Sequence, residues 1–306
     1  MQILPYNDNI QKFIRGFFII KNFKIMLIII IASIFMMGCG NLEVLPVENS
    51  EDSLEIHFID VGQGDAILII GPNGENLLID AGTNSNTDNL LSYIQKQGVK
   101  SFTAVVATHP HEDHIGGLDK VIDKFNVQNV YMPRVTHTTK TFEDVLDAIE
   151  RKGLRIKSIA SGVRIPISFG DAMFLAPVSE GYEDLNNYSG VLRLQYGDHA
   201  YLFTGDAETL SENEMISEHP PELLSAKVLK VGHHGSSSST SKEFLDAVKP
   251  VYAVISLGED NSYGHPHVEV LERLENSGTK VFRTDLDGTI ILKSDGKEIE
   301  LLKEGK

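Results

Sequence analysis

Thr108-His109-Pro110-His111-Glu112-Asp113-His114-Ile115-Gly116-Gly117 stands at the end of an apolar run, Phe102-Thr-Ala-Val-Val-Ala107. Three histidines and an aspartate fall within the six residues 109–114. Neutral imidazoles and carboxylates are the donors that borderline divalent cations take. His109 and His111 are two apart, so on extended backbone they face the same way. A turn at Gly116-Gly117 lets Asp113 and His114 face a second position nearby. Two cations about 3.5–4 Å apart can clamp both the attacking and the leaving oxygen of a displacement. A lone histidine would carry little weight; this spacing carries a great deal.

The segments around the cluster alternate strand and helix patterns. Residues 54–61 alternate, 66–70 are apolar, and Asn73-Gly74 marks a hairpin turn into 77–79. Residues 88–97 read as a helix stopped by Gly98, and 102–107 as one buried strand that delivers the histidines. Helices are expected over 115–125 and 141–152, with a strand over 127–132 between them. A second half repeats the theme. Strands are expected over 191–196, 200–203, 226–231, 252–256, 281–283 and 289–293, the last two closing the chain. Helices are expected over 210–218, 242–247 and 268–276. Two similar halves of this kind predict two sheets packed face to face with helices outside.

The chain has 306 residues, 42% hydrophobic and 23% charged, with a formal net charge of -16. Such an acidic exterior repels polyanions at long range and excludes a passive nucleic-acid-coating role. It leaves room for an enzyme whose cations supply positive charge locally. The single cysteine excludes an internal disulfide. Lys21 and Lys24 precede an apolar run over 25–37 that ends in Gly38-Cys39-Gly40. A basic start, a short apolar core and a small residue before the cut fit a secretory signal. The run is shorter than the ~20 apolar residues of a membrane span. It resembles a bacterial lipoprotein signal, which implies a diacylated Cys39 at the mature N-terminus and a protein held on the outer face of the cytoplasmic membrane. The rival reading is an uncleaved N-terminal anchor. The expected organisation is a signal segment over 1–39, a polar tether over 40–53 and one domain over 54–306.

Further motifs follow the histidine cluster or precede it: Leu77-Leu-Ile-Asp80-Ala-Gly82, Phe203-Thr-Gly-Asp206, and Val231-Gly-His233-His234-Gly235-Ser236. Together they resemble the signature of the metallo-β-lactamase superfamily, an αββα sandwich with metals at one sheet edge. The resemblance implies that His109, His111, Asp113, His114, Asp206 and His234 hold two divalent cations. It makes Asp206 the bridging carboxylate and Asp80 the residue that orients a ligand histidine. It leaves His233 to bind substrate, shuttle protons or pack. Phe58-Ile-Asp-Val-Gly-Gln-Gly-Asp65-Ala-Ile, Tyr263-Gly-His265-Pro-His267 and Thr284-Asp285-Leu-Asp-Gly288 add a sharper likeness, to the hydrolase domain of ComEC-type competence proteins. Those are DNA-uptake proteins in which this domain accompanies a transmembrane channel and is thought to act as a nuclease.

One departure touches the metals. Many superfamily members place a third histidine on the first metal, whereas here the matching stretch is Leu185-Asn-Asn187-Tyr-Ser189. Asn187 is left as a weak oxygen ligand or a substrate contact. The loss of an imidazole favours manganese or magnesium more than a full histidine set would, so zinc at both positions is not assured. Asp65 and Ser236 are expected near the site, Ser236 donating to a phosphoryl oxygen and His265 contacting phosphate or protonating the leaving oxygen. The expected activity is hydrolysis of a phosphodiester, nucleic acid or envelope polymer, with Asp113 and Asp206 at its centre. The rivals are a lactonase, thioesterase or β-lactamase, and a non-catalytic lipoprotein accessory of DNA uptake. No protein partner is expected.

Overall fold

Alternation within the opening strands sets the layering. The computed structural model describes residues 53–305; the signal segment, the tether up to residue 52 and Cys39 lie outside the described residues. Strands β1 (Leu54–Phe58), β2 (Ile67–Ile70) and β3 (Asn76–Ile79) form a meander. Next come β4 (Ser101–Phe102), β5 (Ala104–Val106), β6 (Asn126–Val127), β7 (Val130–Pro133) and β8 (Ile156–Ile159). The second half contributes β9 (Arg164–Ile165), β10 (Asp171–Ala176), β11 (Val191–Tyr196), β12 (His199–Phe203), β13 (Val228–Lys230), β14 (Tyr252–Ile255) and β15 (Lys280–Arg283). The last two, β16 (Ile290–Ser294) and β17 (Ile299–Lys303), return to the first sheet.

One sheet has the order β17-β16-β1-β2-β3-β5-β7-β8 and the other β15-β14-β13-β12-β11-β10-β9. Successive side chains on a strand point to opposite faces, so each sheet offers two apolar surfaces. Leu77, Ile79, Ala104 and Val106 meet Phe174, Leu192, Tyr201 and Phe203 between the sheets. Leu78 and Val105, one residue out of phase, pack outward against Leu90, Ile94, Val121, Phe142 and Val145 of three helices. Leu202, Leu229 and Ala253 do the same on the far side, against Met215, Phe244, Leu245, Val270 and Leu274. The result is the expected four-layer αββα sandwich. No helix among the described residues is long and apolar enough to cross a membrane.

Three expectations need correction. The run 102–107 is not one strand: it breaks at Thr103, whose backbone N–H turns to Asn76 and whose carbonyl accepts from Asn129 Nδ2 at 2.7 Å. Its first part, β4, pairs with β6 in a small separate ladder, and only β5 enters the main sheet. The helix expected over 115–125 is two pieces, Glu112–Ile115 and Leu118–Lys124, split at Gly116-Gly117. A Cβ on Gly116 would lie 2.2 Å from the backbone nitrogen of Asn84, so this break is where chains pass too closely for a side chain. The chain also does not close at residue 293, because β17 follows as an exposed edge strand. Strands β8 to β10 had no expectation at all.

The parallel pairs β3·β5, β12·β13 and β13·β14 bring their carboxyl ends to one rim of the sandwich. Ligand sites of open α/β sheets form at such ends. Phe58→Ala removes a fully buried ring that lies 6.1 Å from Phe203 between the sheets. It is expected to lower the unfolding free energy by about 3–5 kcal/mol in chemical denaturation, whereas Ile156→Ala on an exposed edge moves it by less than about 0.5 kcal/mol.

Candidate metal centre

The histidine motif leaves β5 as extended backbone and then winds into a single helical turn. His111 caps that turn: its carbonyl accepts from the N–H groups of His114 and Ile115 at 3.1 and 3.0 Å. Extended geometry through His111 keeps His109 and His111 together, with His109 Nε2 3.0 Å from His111 Nδ1. The helical turn then brings the His114 ring to 4.2 Å from that of His109, with Asp113 Oδ2 3.8 Å from His114 Nε2. From the other sheet, Asp206 follows β12 and His233-His234 follow β13 with left-handed backbone (φ 46° and 53°).

All six sequence-assigned ligand residues converge. Asp113, His114, Asp206 and His234 offer one donor atom each within 4.8 Å of one another. Asp206 Oδ2 is their shared point, 3.2 Å from His114 Nε2, 3.5 Å from His234 Nε2 and 3.8 Å from His109 Nε2. Bonds of ~2.0–2.1 Å arranged tetrahedrally about a cation put neighbouring donor atoms roughly 3.4 Å apart. The donor set therefore fits one cation among Asp113, His114, Asp206 and His234, and His109 and His111, their nitrogens 3.0 Å apart, offer a second position that reaches Asp206 through His109. A second observation agrees: Asp206 Oδ1, His114 Nε2 and His234 Nε2 are buried with no hydrogen-bond partner. Buried polar atoms left without partners are rare, and a bound ion is one arrangement that satisfies three such atoms clustered together.

The electrostatics are those of a site that wants cations. Burial acts to raise Asp206, but His114 and His234 outweigh it and hold the carboxyl well below its ordinary value. Asp113 is depressed in the same way, burial being overcome by His114 and then His234. Burial opposes charge on His234, yet Asp206, Asp113 and Asp65 push it up to about 10. His114 rises well above its usual value against the same burial, through Asp206, Asp113 and Asp80. His109 goes the other way: burial, followed by the charge on His114, holds it neutral.

A layer of partners fixes each ring. Asp80, with φ 59°, accepts from His114 Nδ1 at 2.7 Å and from the backbone N–H and hydroxyl of Thr108 at 2.8 and 2.7 Å. His234 Nδ1 donates to the Ser256 carbonyl at 2.8 Å. His109 Nδ1 lies 3.1 Å from Thr108 Oγ1 and 3.4 Å from Ser189 Oγ. Such contacts set the tautomer and leave the other ring nitrogen free to bind a cation. Asp65 does not face the cleft; it is buried behind the ligands, 3.4 Å from His234 Nδ1. Its turn is pressed against the histidine helix, where a Cβ on Gly64 (φ 125°) would fall 2.1 Å from the Asp113 carbonyl oxygen.

Lys230, absent from the sequence assignment, pairs with Asp65 at 2.9 Å and donates to the Val231 carbonyl, entirely buried. Its signal was a charge within the apolar strand Val228-Leu-Lys230-Val. Asp65, Asp80 and His114 have donor atoms close enough to suggest another cation position. The ammonium on Asp65 already supplies that positive charge.

The cleft in front of the ligands has a volume of about 610 Å³ and is lined by His111, Asp113, Asp206, His233, His234 and His265, among others. Besides Asp65, two expected residues are not part of it. Ser236 Oγ bonds Ser238 Oγ at 3.0 Å and is buried in its own loop, so it has no free donor for a phosphoryl oxygen. Asn187 donates to Glu208 and accepts from the Ser211 N–H, both at 3.3 Å, because the 3-10 turn Leu185–Tyr188 aims it at the following helix. Its neighbour Asn186 lines the cleft and keeps a buried, unpartnered Oδ1. Glu208, also unassigned from sequence, lies 3.3 Å from His233 Nδ1 and accepts from Ser238 Oγ at 2.8 Å.

The family model of the metallo-β-lactamase superfamily matches residues 59–259. The chain belongs to that superfamily. Its members' fold recurs in solved structures: Tm1679, a metal-dependent hydrolase of the β-lactamase superfamily, aligns with TM-score 0.50 at 16% identity over 75% of this chain and 95% of that one. The diiron β-hydroxylase CmlA from Streptomyces venezuelae gives TM-score 0.53 at 13% identity over 82% of this chain and 54% of that one. These show the fold. Among curated proteins, ComE operon protein 3 of Bacillus subtilis (strain 168) is 32% identical over 81% of this chain and 34% of its own length. Competence protein ComA of Neisseria gonorrhoeae is 32% identical over 83% of this chain and 34% of its length. The ComEC-type likeness therefore holds, and the chain spans about a third of the length of these relatives. Superfamily membership and the converging ligands mark a metal-dependent hydrolase that takes divalent cations.

Two predictions test the centre. With His114 and His234 raised, the latter to about 10, both carry protons at pH 7 when no cation is bound, and a cation must displace them. Zinc or manganese affinity, followed by competition titration, is thus expected to keep rising as pH goes from 7 to 9, with release approaching ~2 protons per protein. Ordinary histidines would give a plateau just above pH 6.5. Lys230→Met takes from buried Asp65 its lysine partner, leaving it only His234 and His114, and is expected to reduce stability by about 3 kcal/mol in denaturant unfolding.

Proposed function

We propose that the chain is a dinuclear phosphodiesterase acting outside the cytoplasmic membrane, anchored there through Cys39. The observation that supports this reading best is Asp206 Oδ2, placed between imidazoles of both cation positions at the floor of an open cleft. The donor set at the first position is short of a third histidine, which leaves room for substrate oxygen. Cations bound there supply Lewis acidity toward phosphoryl oxygens and lower the pKa of water to about 7.

The rest falls to this chain's own side chains. His109, His111, Asp113, His114, Asp206 and His234 hold the cations and so fix where the phosphoryl group lies. In the overall step water adds to phosphorus, one ester P–O bond breaks, and the departing oxygen takes a proton. Two cleft residues could deliver that proton. His265 is pushed down to about 4, first by burial and then by His234, His233 and His267, so it is neutral near pH 7. It serves as a hydrogen-bonding contact. His233 is better placed: Glu208 holds its Nδ1, and its Nε2 is directed at the site, 3.8 Å from Asp206 Oδ2. The two residues thus divide the roles the sequence left shared.

Bis-p-nitrophenyl phosphate turnover by the purified protein, loaded with zinc, manganese or magnesium, tests the reading. Turnover is expected, lost in Asp113→Ala and reduced about 10–100-fold in Asp80→Asn, which leaves every ligand in place. Turnover of a lactone or β-lactam without any diester would instead make the chain an acyl hydrolase. A cellular role that survives Asp113→Ala would make it a non-catalytic accessory. Release of the protein from membranes by Cys39→Ala tests the anchor.

A further inference from the structure

Tyr263 is 62% exposed at the mouth of the cleft and is the one exposed tyrosine or phenylalanine among the described residues. An isolated exposed aromatic is ordinary, but this one continues a stack. Its ring lies 5.7 Å from that of His265 at an interplanar angle of 22°. His265 in turn lies 6.4 Å from the ligand His234 at 29°. The rings of Tyr263, His265 and His234 therefore follow one another from solvent to the cation positions, each tilted by no more than 29° from the next, and the outermost is largely exposed.

The loop that presents the ring is held stiffly. Asn261 donates to the carbonyls of Gly258 and His265 at 3.1 and 2.7 Å and accepts from the His265 N–H at 3.0 Å. Gly258 N–H donates to Gln63 of the opposite wall at 3.3 Å. A platform fixed in this way gives up little conformational entropy when a flat group lies on it. Among the described residues that line the cleft there is no lysine or arginine, while Glu112, Asp113 and Asp206 are present. Proteins that track a polynucleotide rely on rows of such cations along the backbone. This cleft has a stacking surface beside one phosphate position and nothing to hold a long run of phosphates.

We propose that the substrate is a phosphodiester with a flat heteroaromatic ring next to the scissile phosphate, taken as a small nucleotide diester or as the free end of a chain, and that Tyr263 selects it by stacking that ring. The proposal rests on the phosphodiesterase reading and narrows it, setting aside ring-free envelope diesters and the interior of a polynucleotide.

Binding of a phosphorothioate dinucleotide to the metal-loaded protein tests the stack without turnover. Tyr263→Ala is expected to weaken binding roughly 5–150-fold, the worth of one stacked base, with metal content unchanged, and Tyr263→Phe to restore it. Equal binding by Tyr263→Ala and the wild type would overturn the role of the ring. In the wild type, kcat/KM for a dinucleotide is expected to exceed that for a glycerol-based diester by at least tenfold, an order of magnitude set by the same stacking. Equal values would overturn the selectivity. A gain in affinity with each added nucleotide, lost by ~10³-fold or more between 50 and 200 mM salt, would overturn the restriction to small diesters and ends. Failure to cleave any diester would sink the phosphodiesterase reading, while the binding comparison would still decide the stack.

Discussion

Charge that water would solvate well has been moved into the rim of an apolar sandwich, and the rest of the site follows from making that arrangement tolerable. Asp206, His114 and His234 are nearly inaccessible to solvent, yet their inward atoms lack protein partners. Carboxylates and imidazoles hold each other ionised there, which shifts their proton affinities in opposite directions. A divalent cation resolves this tension better than protons do, because it bonds directly to the atoms left unmatched.

The supporting layer obeys the same constraint. Asp80 has its acceptors filled by Thr108 and His114, and Asp65 is balanced by a fully buried lysine. Left-handed backbone at Asp80, His233 and His234, none of them glycine, marks where the chain is bent to aim these groups. Strain of this kind clusters at functional sites and is held by surrounding structure. Here the holding structure is the pair of hydrophobic layers, which fix the ends of β3, β5, β12 and β13.

Much of this was legible in the sequence because the ligand motifs are local. The spacing of His109, His111, Asp113 and His114 encodes a switch from extended chain to helical turn, and the short motifs around Asp80, Asp206 and His234 sit at strand ends. The sandwich itself could be read from alternation in strands such as 54–58. What could not be read depends on long-range packing. Nothing local tells Asn186 from Asn187, since the choice is made by which way a 3-10 turn rotates. Ser236 looks available until the loop folds it onto Ser238. Lys230 gains meaning only when β13 is set beside the turn carrying Asp65. Strands β8 to β10 and β17 escaped notice for a different reason: strands at or next to a sheet edge carry weak alternation, β10 being buried almost throughout and β17 almost nowhere, and their identity comes from the neighbour they join.

The two halves of the ligand set come from different sheets: His109, His111, Asp113 and His114 follow β5, while Asp206 and His234 follow β12 and β13. A cation bound between them is a clasp across the sandwich as well as a reagent. Ligands that bind only the folded state add RT ln(1 + [L]/Kd) to its stability. Cation scarcity therefore loosens the seam between the sheets at the same moment that it silences the chemistry. A molecule without its cations would therefore give up stability together with whatever chemistry the centre supports.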